Sequence, residues 1–276
     1  IGAIHSVVFG GFASSELAVR IDDCKPKAII AASCGVEPSR VVDYKPLLDG
    51  AIEQATHKPE FCVIFQREEE VAHLEPGRDL DWHAFQYGVE PAECLPVEGN
   101  HPAYILYTSG TTGMPKGVMH DFASLSTVGE KMIKVYDLKP DERMISYLPL
   151  SHVAERVAVE IAVLYVGNKI FFAESLDTFG EDIKRAQPTV FFAVPRIWSK
   201  FYQKASEAVP PKKLNRLLKI PFLNKIIKKK VLGAMGLDEC RIALSGAAAL
   251  SPEIITWFKK LDLEILEVYG MTENLA

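Results

Sequence analysis

The chain lacks the long apolar runs of a membrane protein: it has no stretch of about 18 uncharged apolar residues, so we expect no transmembrane helix. It also lacks a strong charge excess, because 31 Lys and Arg against 36 Asp and Glu leave a net charge of -5. That balance argues against a nucleic-acid partner. The five cysteines are scattered and include no Cys-x-x-Cys pair. We therefore expect neither a cysteine metal site nor a disulfide framework, and the pattern favours a reducing, cytoplasmic location.

Short apolar runs alternate with helical stretches along most of the chain. The runs are rich in Ile, Val, Leu and Phe and predict buried strands at residues 28–32, 62–65, 103–107, 144–148, 169–173, 190–194, 241–244 and 263–268. Helical spacing predicts helices at residues 157–166, 179–185 and 252–260, the last with Ser251 as its N-cap. This alternation predicts an α/β fold with largely parallel sheets covered by helices. The polar, turn-rich segment at residues 68–100 predicts a boundary between a first α/β subdomain (1–100) and a second one (101–276).

Ligands of parallel sheets bind at the carboxyl ends of the strands. Five segments that follow predicted strands hold most of the unusual small and polar residues: 108–116, 149–156, 195–198, 245–249 and 269–273. A shared binding site explains this concentration better than a helical surface does.

The first of these segments, taken with one residue on either side (107–117), has the composition of a phosphate-binding loop. It reads Tyr-Thr-Ser-Gly-Thr-Thr-Gly-Met-Pro-Lys-Gly and directly follows an apolar run. Its glycines let backbone N–H groups approach an anion, its hydroxyls add donors, and Lys116 adds a mobile positive charge. It is not a Walker A loop, because Pro115 stands where that motif needs glycine before the lysine.

The loop resembles the signature loop of the adenylate-forming superfamily, which includes acyl-CoA synthetases, luciferases and peptide-synthetase adenylation domains. Residues 269–273 (Tyr-Gly-Met-Thr-Glu) resemble the later ATP motif of that family, and residues 245–249 (Ser-Gly-Ala-Ala-Ala) resemble its adenine-side loop. Residues 149–156 (Pro-Leu-Ser-His-Val-Ala-Glu-Arg) are similar to a motif of long-chain fatty acyl-CoA synthetases. The resemblance implies part of the large N-terminal domain of the acyl-CoA synthetase fold.

The resemblance also implies roles for the matching residues. One group would bind the β- and γ-phosphates of ATP: Thr108, Ser109, Gly110, Thr111, Thr112, Gly113 and Lys116. A second group would line the adenine pocket or belong to the adjoining ATP motif: Gly246, Ala247, Ala248, Tyr269, Gly270 and Met271. A catalytic group would consist of Lys116, of His152 beside the acyl carboxylate, of Thr272 on the α-phosphate and of Glu273, which would also hold Mg²⁺.

The implied reaction is in-line attack of a carboxylate on the α-phosphorus of ATP, which gives an acyl-adenylate and pyrophosphate. The thiol of coenzyme A then displaces AMP. Because two anions must meet, Mg²⁺ and the donors of the loop must offset negative charge. ATP, Mg²⁺, coenzyme A and a small carboxylic acid are therefore the implied ligands, and no obligate protein partner is inferred. Two alternatives stay open: a fatty-acyl-AMP ligase that passes its product to a carrier protein, and a nucleotide- or lipid-binding fragment without catalysis.

The two parts of the chain resemble enzymes of different chain-length classes. Residues 1–100 are similar to acetyl- and propionyl-CoA synthetases, and by that resemblance Arg40 either touches the CoA phosphates or is a solvated surface residue. The rest resembles long-chain enzymes. Gly270 stands where the short-chain enzymes carry a Trp that blocks the acyl pocket. Without that indole the pocket can admit a longer acyl chain, and each methylene buried there adds about 0.8 kcal/mol to the binding free energy. We therefore expect a medium- or long-chain fatty acid, with a short-chain acid as the alternative.

Residues 212–230 form a basic, amphipathic stretch with eight Lys or Arg and no acid. Two interpretations stay open. The stretch either docks on an anionic membrane surface, which would make the protein peripheral, or forms a solvated helical hairpin.

The sequence lacks several parts that the resemblance implies. These are the Asp that grips the ribose hydroxyls, the hinge, and the mobile C-terminal domain with its catalytic Lys. We therefore expect this chain to be a piece of the large domain. Alone it should bind nucleotide weakly and turn over poorly or not at all.

Overall fold

The computed structural model describes residues 1–37, 40–108, 115–221 and 223–275. The chain divides into two compact units, Ile1–Phe122 and Ala123–Ala276. The subdomain boundary predicted near residue 100 falls within the first of these units.

The described residues of the first unit form a parallel sheet, two antiparallel strand pairs and three helices. In chain order these are α1 (Ser14–Cys24), β1 (Ala28–Ala32), β2 (Cys34–Glu37), β3 (Arg40–Asp43), α2 (Lys45–Gln54), β4 (Phe61–Phe65), β5 (Asp79–Asp81), α3 (Trp82–Gln86), β6 (Pro102–Thr108) and β7 (Lys116–Asp121). The parallel sheet has the strand order β1–β4–β5, while β2 pairs with β3 and β6 with β7 in antiparallel fashion. The N-terminal segment joins β6 through a bridge between His5 and Tyr104.

Helices α1 and α2 cover one face of the parallel sheet. The apolar side chains of Ile21 and Leu48 pack there against Cys62 and Ile64 of β4. Because β4 is the central strand, its residues Cys62–Ile64 are almost fully excluded from solvent. This burial explains the continuous apolar run from which the strand was predicted.

The second unit contains two parallel strand groups and the remaining helices. In chain order these are α4 (Phe122–Tyr136, whose first residue closes the first unit), β8 (Arg143–Ser146), α5 (Val153–Glu155), a π-helix (Arg156–Ile161), α6 (Ala162–Val166), β9 (Lys169–Phe172), α7 (Phe179–Ala186), β10 (Val190–Ala193), α8 (Pro195–Ala208), α9 (Pro211–Leu217), α10 (Leu223–Gly233), β11 (Ile242–Ser245), α11 (Pro252–Lys260), β12 (Ile265–Glu267) and a 3₁₀ turn (Thr272–Asn274). The strand orders are β10–β11–β12 and β8–β9.

The strands β8 and β10 begin side by side. The backbone N–H of Thr189, just before β10, donates to the carbonyl oxygen of Arg143 at the start of β8, with an N···O distance of 2.9 Å. The core of this unit is built around Trp198, whose side chain is fully buried and whose indole N–H donates to the carbonyl of Leu244 at 3.3 Å. Strands that start together also end at the same edge, so the segments that follow β8, β10, β11 and β12 leave the second unit on one side.

The structure changes several local expectations. The loop after β6 was expected to leave a parallel strand, but β6 pairs with β7 as an antiparallel hairpin. The helix predicted at 157–166 is preceded by α5 and is partly a π-helix. Ser251 holds the N-cap position of α11, yet its side chain makes no capping hydrogen bond.

Three observations concern the composition of the chain. Within the described ranges, no helix is both long enough and apolar enough to cross a membrane. The described part of the chain also has no group of three His, Cys, Asp or Glu side chains placed to hold a metal ion. All five cysteines are free thiols.

Candidate active site

The phosphate-loop residues are framed by the hairpin of β6 and β7 in the first unit. Thr108 ends β6 and Lys116 begins β7, and the two are register partners across the hairpin. The Lys116 side chain is exposed, as a residue that meets a ligand from solution must be. The loop residues between these strands that were assigned to phosphate binding, namely Ser109, Gly110, Thr111, Thr112 and Gly113, lie outside the described residues.

Side chains of α1 support the end of β6 directly before the loop. The Tyr107 hydroxyl donates to Asp23 Oδ2 at 2.7 Å, and burial together with this hydrogen bond raises the pKa of the Tyr107 phenol. The Arg20 guanidinium lies 4.3 Å from the ring centre of Phe12 and 5.4 Å from that of Tyr107. Sequence reasoning assigned no role to these residues, because contacts between residues some 80 positions apart leave no local pattern.

Gly117 is required where β7 passes the same cluster. A β-carbon at this position would lie 2.8 Å from Ile105 Cγ2 and 3.3 Å from Asp23 Oδ2. Such a contact is closer than carbon atoms tolerate, so the last glycine of the predicted loop serves close packing of the hairpin. It does not need to touch a phosphate.

Arg40 begins β3 and is a solvent-exposed residue. Its Nε lies 2.8 Å from Glu37 Oε2, across the β2–β3 hairpin, and both side chains are largely exposed. An exposed ion pair of this kind contributes little stability and opens easily. Contact with the CoA phosphates therefore stays a prediction for this residue.

His152 lies in the turn between β8 and α5 of the second unit. It is the N-cap of α5, where its Nδ1 accepts a hydrogen bond from the backbone N–H of Ala154 at 3.1 Å. Burial lowers the pKa of the imidazole, which favours the neutral ring. Because Nδ1 accepts, the ring proton resides on Nε2, which can donate to an anion.

Two buried residues with ionisable side chains follow His152 in this turn. The Arg156 side chain is 3% exposed, and its Nε donates to the carbonyl of Leu150 at 2.9 Å while it pairs with Glu160 at 2.7 Å. Glu155 is 2% exposed and faces the Ser146 hydroxyl and nearby backbone N–H groups. Burial raises the pKa of Glu155 more than these groups lower it.

A largely apolar pocket lies beside this turn, entirely within the second unit. Its empty volume is about 480 Å³, part of it open to solvent. The wall consists of side chains from α4, β8, β10, β11 and the helical segment after His152, for example Tyr136, Leu148, Ala158 and Phe192. Glu155 is the acidic member of the wall, and its Oε1 has no hydrogen-bond partner among the described residues. The composition of this wall suits an apolar ligand.

The predicted adenine-side loop and ATP motif leave adjacent strands at one edge of the sheet. Ser245 at the end of β11 is the register partner of Glu267 at the end of β12, and Glu267 Oε1 accepts from the backbone N–H of Leu250 at 2.9 Å. Gly246 is buried, and a β-carbon there would lie 3.0 Å from atoms of Phe192 and Val268. The structure thus brings together the two motifs that resemblance assigned to ATP.

The remaining residues of these two motifs are mostly accessible to solvent. Ala247 adopts the left-handed backbone conformation with φ +70°, and Ala247, Ala248, Tyr269 and Met271 are exposed, whereas Gly270 and Thr272 are half-buried. Glu273 lies in the 3₁₀ turn with an exposed carboxylate. One accessible carboxylate suits Mg²⁺, which typically takes one or two protein carboxylates and fills its other positions with phosphate oxygens and water.

The fold and these motifs define a nucleotide-binding α/β protein of the adenylate-forming class. The chain belongs to the AMP-binding enzyme family, whose sequence model matches residues 1–276.

Curated relatives are similar to about half of the chain. Human mitochondrial acyl-CoA synthetase short-chain family member 3 is 48% identical over 144 residues, which cover 51% of this chain and 21% of that protein. The propionate–CoA ligase of Escherichia coli is 48% identical over 124 residues, which cover 44% of this chain and 20% of that one. The matched segments thus span about a fifth of the length of these relatives.

Solved structures match nearly the whole chain in fold. The adenylation and carrier didomain of the carboxylic acid reductase from Segniliparus rugosus, a complex with AMP, superposes with a TM-score of 0.69 at 21% identity. That match covers 97% of this chain and 38% of the other. The adenylation domain of a carboxylate reductase from Mycobacterium chelonae gives the same TM-score at 20% identity. These likenesses confirm the predicted α/β architecture.

Proposed function

We propose that this chain carries nucleotide- and acid-binding residues of an enzyme that uses ATP to join a carboxylic acid to coenzyme A. The carboxylate attacks the α-phosphorus of ATP, the bond to the pyrophosphate leaving group breaks, and the CoA thiol then displaces AMP from the acyl-adenylate. The observation that carries this proposal is the common edge of the second unit's sheet, where residues 246–248 and 269–273 leave adjacent strands. The five free thiols suit the reducing, cytoplasmic setting that we propose for it.

Each proposed role rests on the accessibility or protonation of a side chain. Neutral His152 is suited to donate from Nε2 to the substrate carboxylate. Exposed Lys116 is suited to pair with the β- and γ-phosphates. We propose that Thr272, which is half-buried and thus partly accessible, contacts the α-phosphate. We propose that Glu273 holds Mg²⁺, which when bound offsets the charge of the two anions that must meet.

We propose a medium- or long-chain fatty acid as the substrate. The apolar pocket beside the His152 turn supports this choice through its composition, since its wall offers apolar atoms to an alkyl chain. Each buried methylene would add about 0.8 kcal/mol, or roughly fourfold in affinity, until the pocket is filled.

A short-chain acid is the second candidate, and the curated relatives favour it. Their names specify a short-chain acyl-CoA synthetase family member and a propionate–CoA ligase. A pocket that fits only two or three carbons does not bind longer acids more tightly, because their additional methylenes would remain in water.

Calorimetric titration of the chain with nonhydrolysable acyl-adenylates from acetyl to dodecanoyl distinguishes these candidates. The first proposal predicts affinity that rises with chain length. Tighter binding of the acetyl analogue than of the dodecanoyl analogue would select the short-chain candidate. Absence of saturable binding by every analogue would refute the adenylate site itself.

A pocket-filling variant sharpens this test. Ala158→Phe places a ring in the pocket wall and should weaken the dodecanoyl analogue at least tenfold while leaving the acetyl analogue nearly unchanged. Leu164→Phe is the matched control, because Leu164 is 74% exposed and is not part of the pocket wall. Equal effects of the two substitutions would show that the alkyl chain binds elsewhere.

A further inference from the structure

The basic hairpin, defined as α9, α10 and the turn that joins them, concentrates positive charge on the second unit. Seven of its cations are solvent-exposed: Lys212, Lys213, Arg216, Lys219, Lys225, Lys229 and Lys230. Within the described residues, ion pairs neutralise two cations of the hairpin, Lys228 with Asp262 at 2.7 Å and Lys229 with Glu239 at 2.9 Å. The remaining charges form a positive surface with no acid of its own.

The hydrophobic core explains part of the apolar content of the basic hairpin. Leu214 and Leu232 are buried, and Leu218, Ile227 and Val231 pack against the same core cluster around Trp198. These side chains fix the hairpin to the unit, so its outer face has a defined orientation toward solvent.

A second set of apolar side chains points away from that core. Ile220 is 40% exposed, Leu223 46% and Ile226 64%. Leu223 and Ile226 are three residues apart on α10 and therefore share one face, next to the turn that holds Ile220. Lys219 directly precedes this apolar tip in sequence and Lys225 lies within it, between Leu223 and Ile226, and both lysines are exposed.

We propose that the basic hairpin docks on an anionic lipid surface, with the apolar tip entering the interface and the lysines contacting headgroups. Interfacial helices combine cationic and apolar faces in this way, and their affinity sums both contributions. A nucleic-acid site would use the cations but would leave the exposed isoleucine and leucine side chains without a partner. The charge and the tip together therefore select a membrane.

Co-sedimentation of the chain with phosphatidylcholine vesicles, with and without phosphatidylglycerol, tests this proposal. Binding is expected only to the anionic vesicles. It should weaken when salt is raised from about 0.1 M to about 1 M, because the Debye length falls from about 10 Å to about 3 Å. Since neither acid nor nucleotide is present, the result is independent of the proposed activity.

Two double variants separate the contributions of charge and apolar tip. Lys219→Gln with Lys225→Gln should weaken binding about 30-fold, or roughly fivefold for each charge removed. Ile220→Ser with Ile226→Ser should weaken it about tenfold. All four side chains are exposed, so unchanged circular dichroism is expected.

The control pair Lys131→Gln and Lys134→Gln removes the same charge from exposed positions on α4. It should leave binding to anionic vesicles unchanged. The proposal is overturned by equal binding to neutral vesicles, by loss of binding in the control pair, or by absence of binding to the anionic vesicles.

Discussion

Substitution of Asp79 by Asn should destabilise the first unit, because Asp79 is the buried centre of an ion network. Its carboxylate is fully buried at the start of β5 and lies 2.6 Å from Arg78 Nε and 2.9 Å from Lys45 Nζ. The backbone N–H of Glu75 donates to the same carboxylate at 2.9 Å. Asparagine keeps the shape of this side chain but removes its charge.

The magnitude follows from the pKa of Asp79. Burial alone would raise that pKa, but Arg78, the Glu75 N–H and Lys45 outweigh burial and lower it from 3.8 to about 2. At about 1.4 kcal/mol per tenfold change in protonation, the ionised carboxylate contributes about 2 kcal/mol to the free energy of unfolding. Because the folded pKa is the lower one, this contribution is complete above about pH 4 and disappears as the pH falls toward 2.

Asp49→Asn is the matched control within the same network. Asp49 also contacts Lys45 and Arg78, but its side chain is 43% exposed. Solvent screening should limit its contribution to below about 1 kcal/mol.

Urea titration, monitored by hydrogen exchange of peptides from β1 and β4, measures the stability of the first unit alone. Asp79→Asn should lower it by about 2 kcal/mol at neutral pH, and the gap to the wild type should close between about pH 4 and pH 2. Equal losses for the two variants, or a gap that does not change with pH, would refute the electrostatic reasoning.

The sequence predicted strands well where a buried apolar run defined them. Central β4 and the strands β10 and β11 have both faces covered, so their composition is distinctive. The sequence did not predict β7, in which His120 is buried and most other residues are exposed, or the three-residue β5. These strands form because a neighbour offers hydrogen bonds, which single-sequence patterns do not encode.

The candidate site was predictable to the extent that it consists of loops after strands. Because parallel strands end at one edge, order along the chain sufficed to bring residues 246–248 and 269–273 together. The contacts that hold the His152 turn in place were not predictable from the sequence. Arg156 donates to the Leu150 carbonyl, and Glu155 lies in the pocket wall. Both contacts arise because the chain folds back at this turn, which a π-helix follows.

Two further substitutions test the packing of the second unit. Gly236→Ala should lower the melting temperature, since Gly236 has φ +73° and a β-carbon there would lie 2.6 Å from the Ile183 carbonyl oxygen. Gly180→Ala is the control and should not lower it, because the space around Gly180 is open. A melting temperature unchanged by the first substitution would contradict this geometry. Glu155→Gln should stabilise the unit at neutral pH, because burial raises the pKa of Glu155 and the ionised form destabilises the fold as the pH rises through that value. The gain in urea midpoint of Glu155→Gln over the wild type should shrink as the pH falls below that raised pKa. A gain that grew in acid would contradict this, because it would mean that the charged Glu155 carboxylate stabilises the His152 turn.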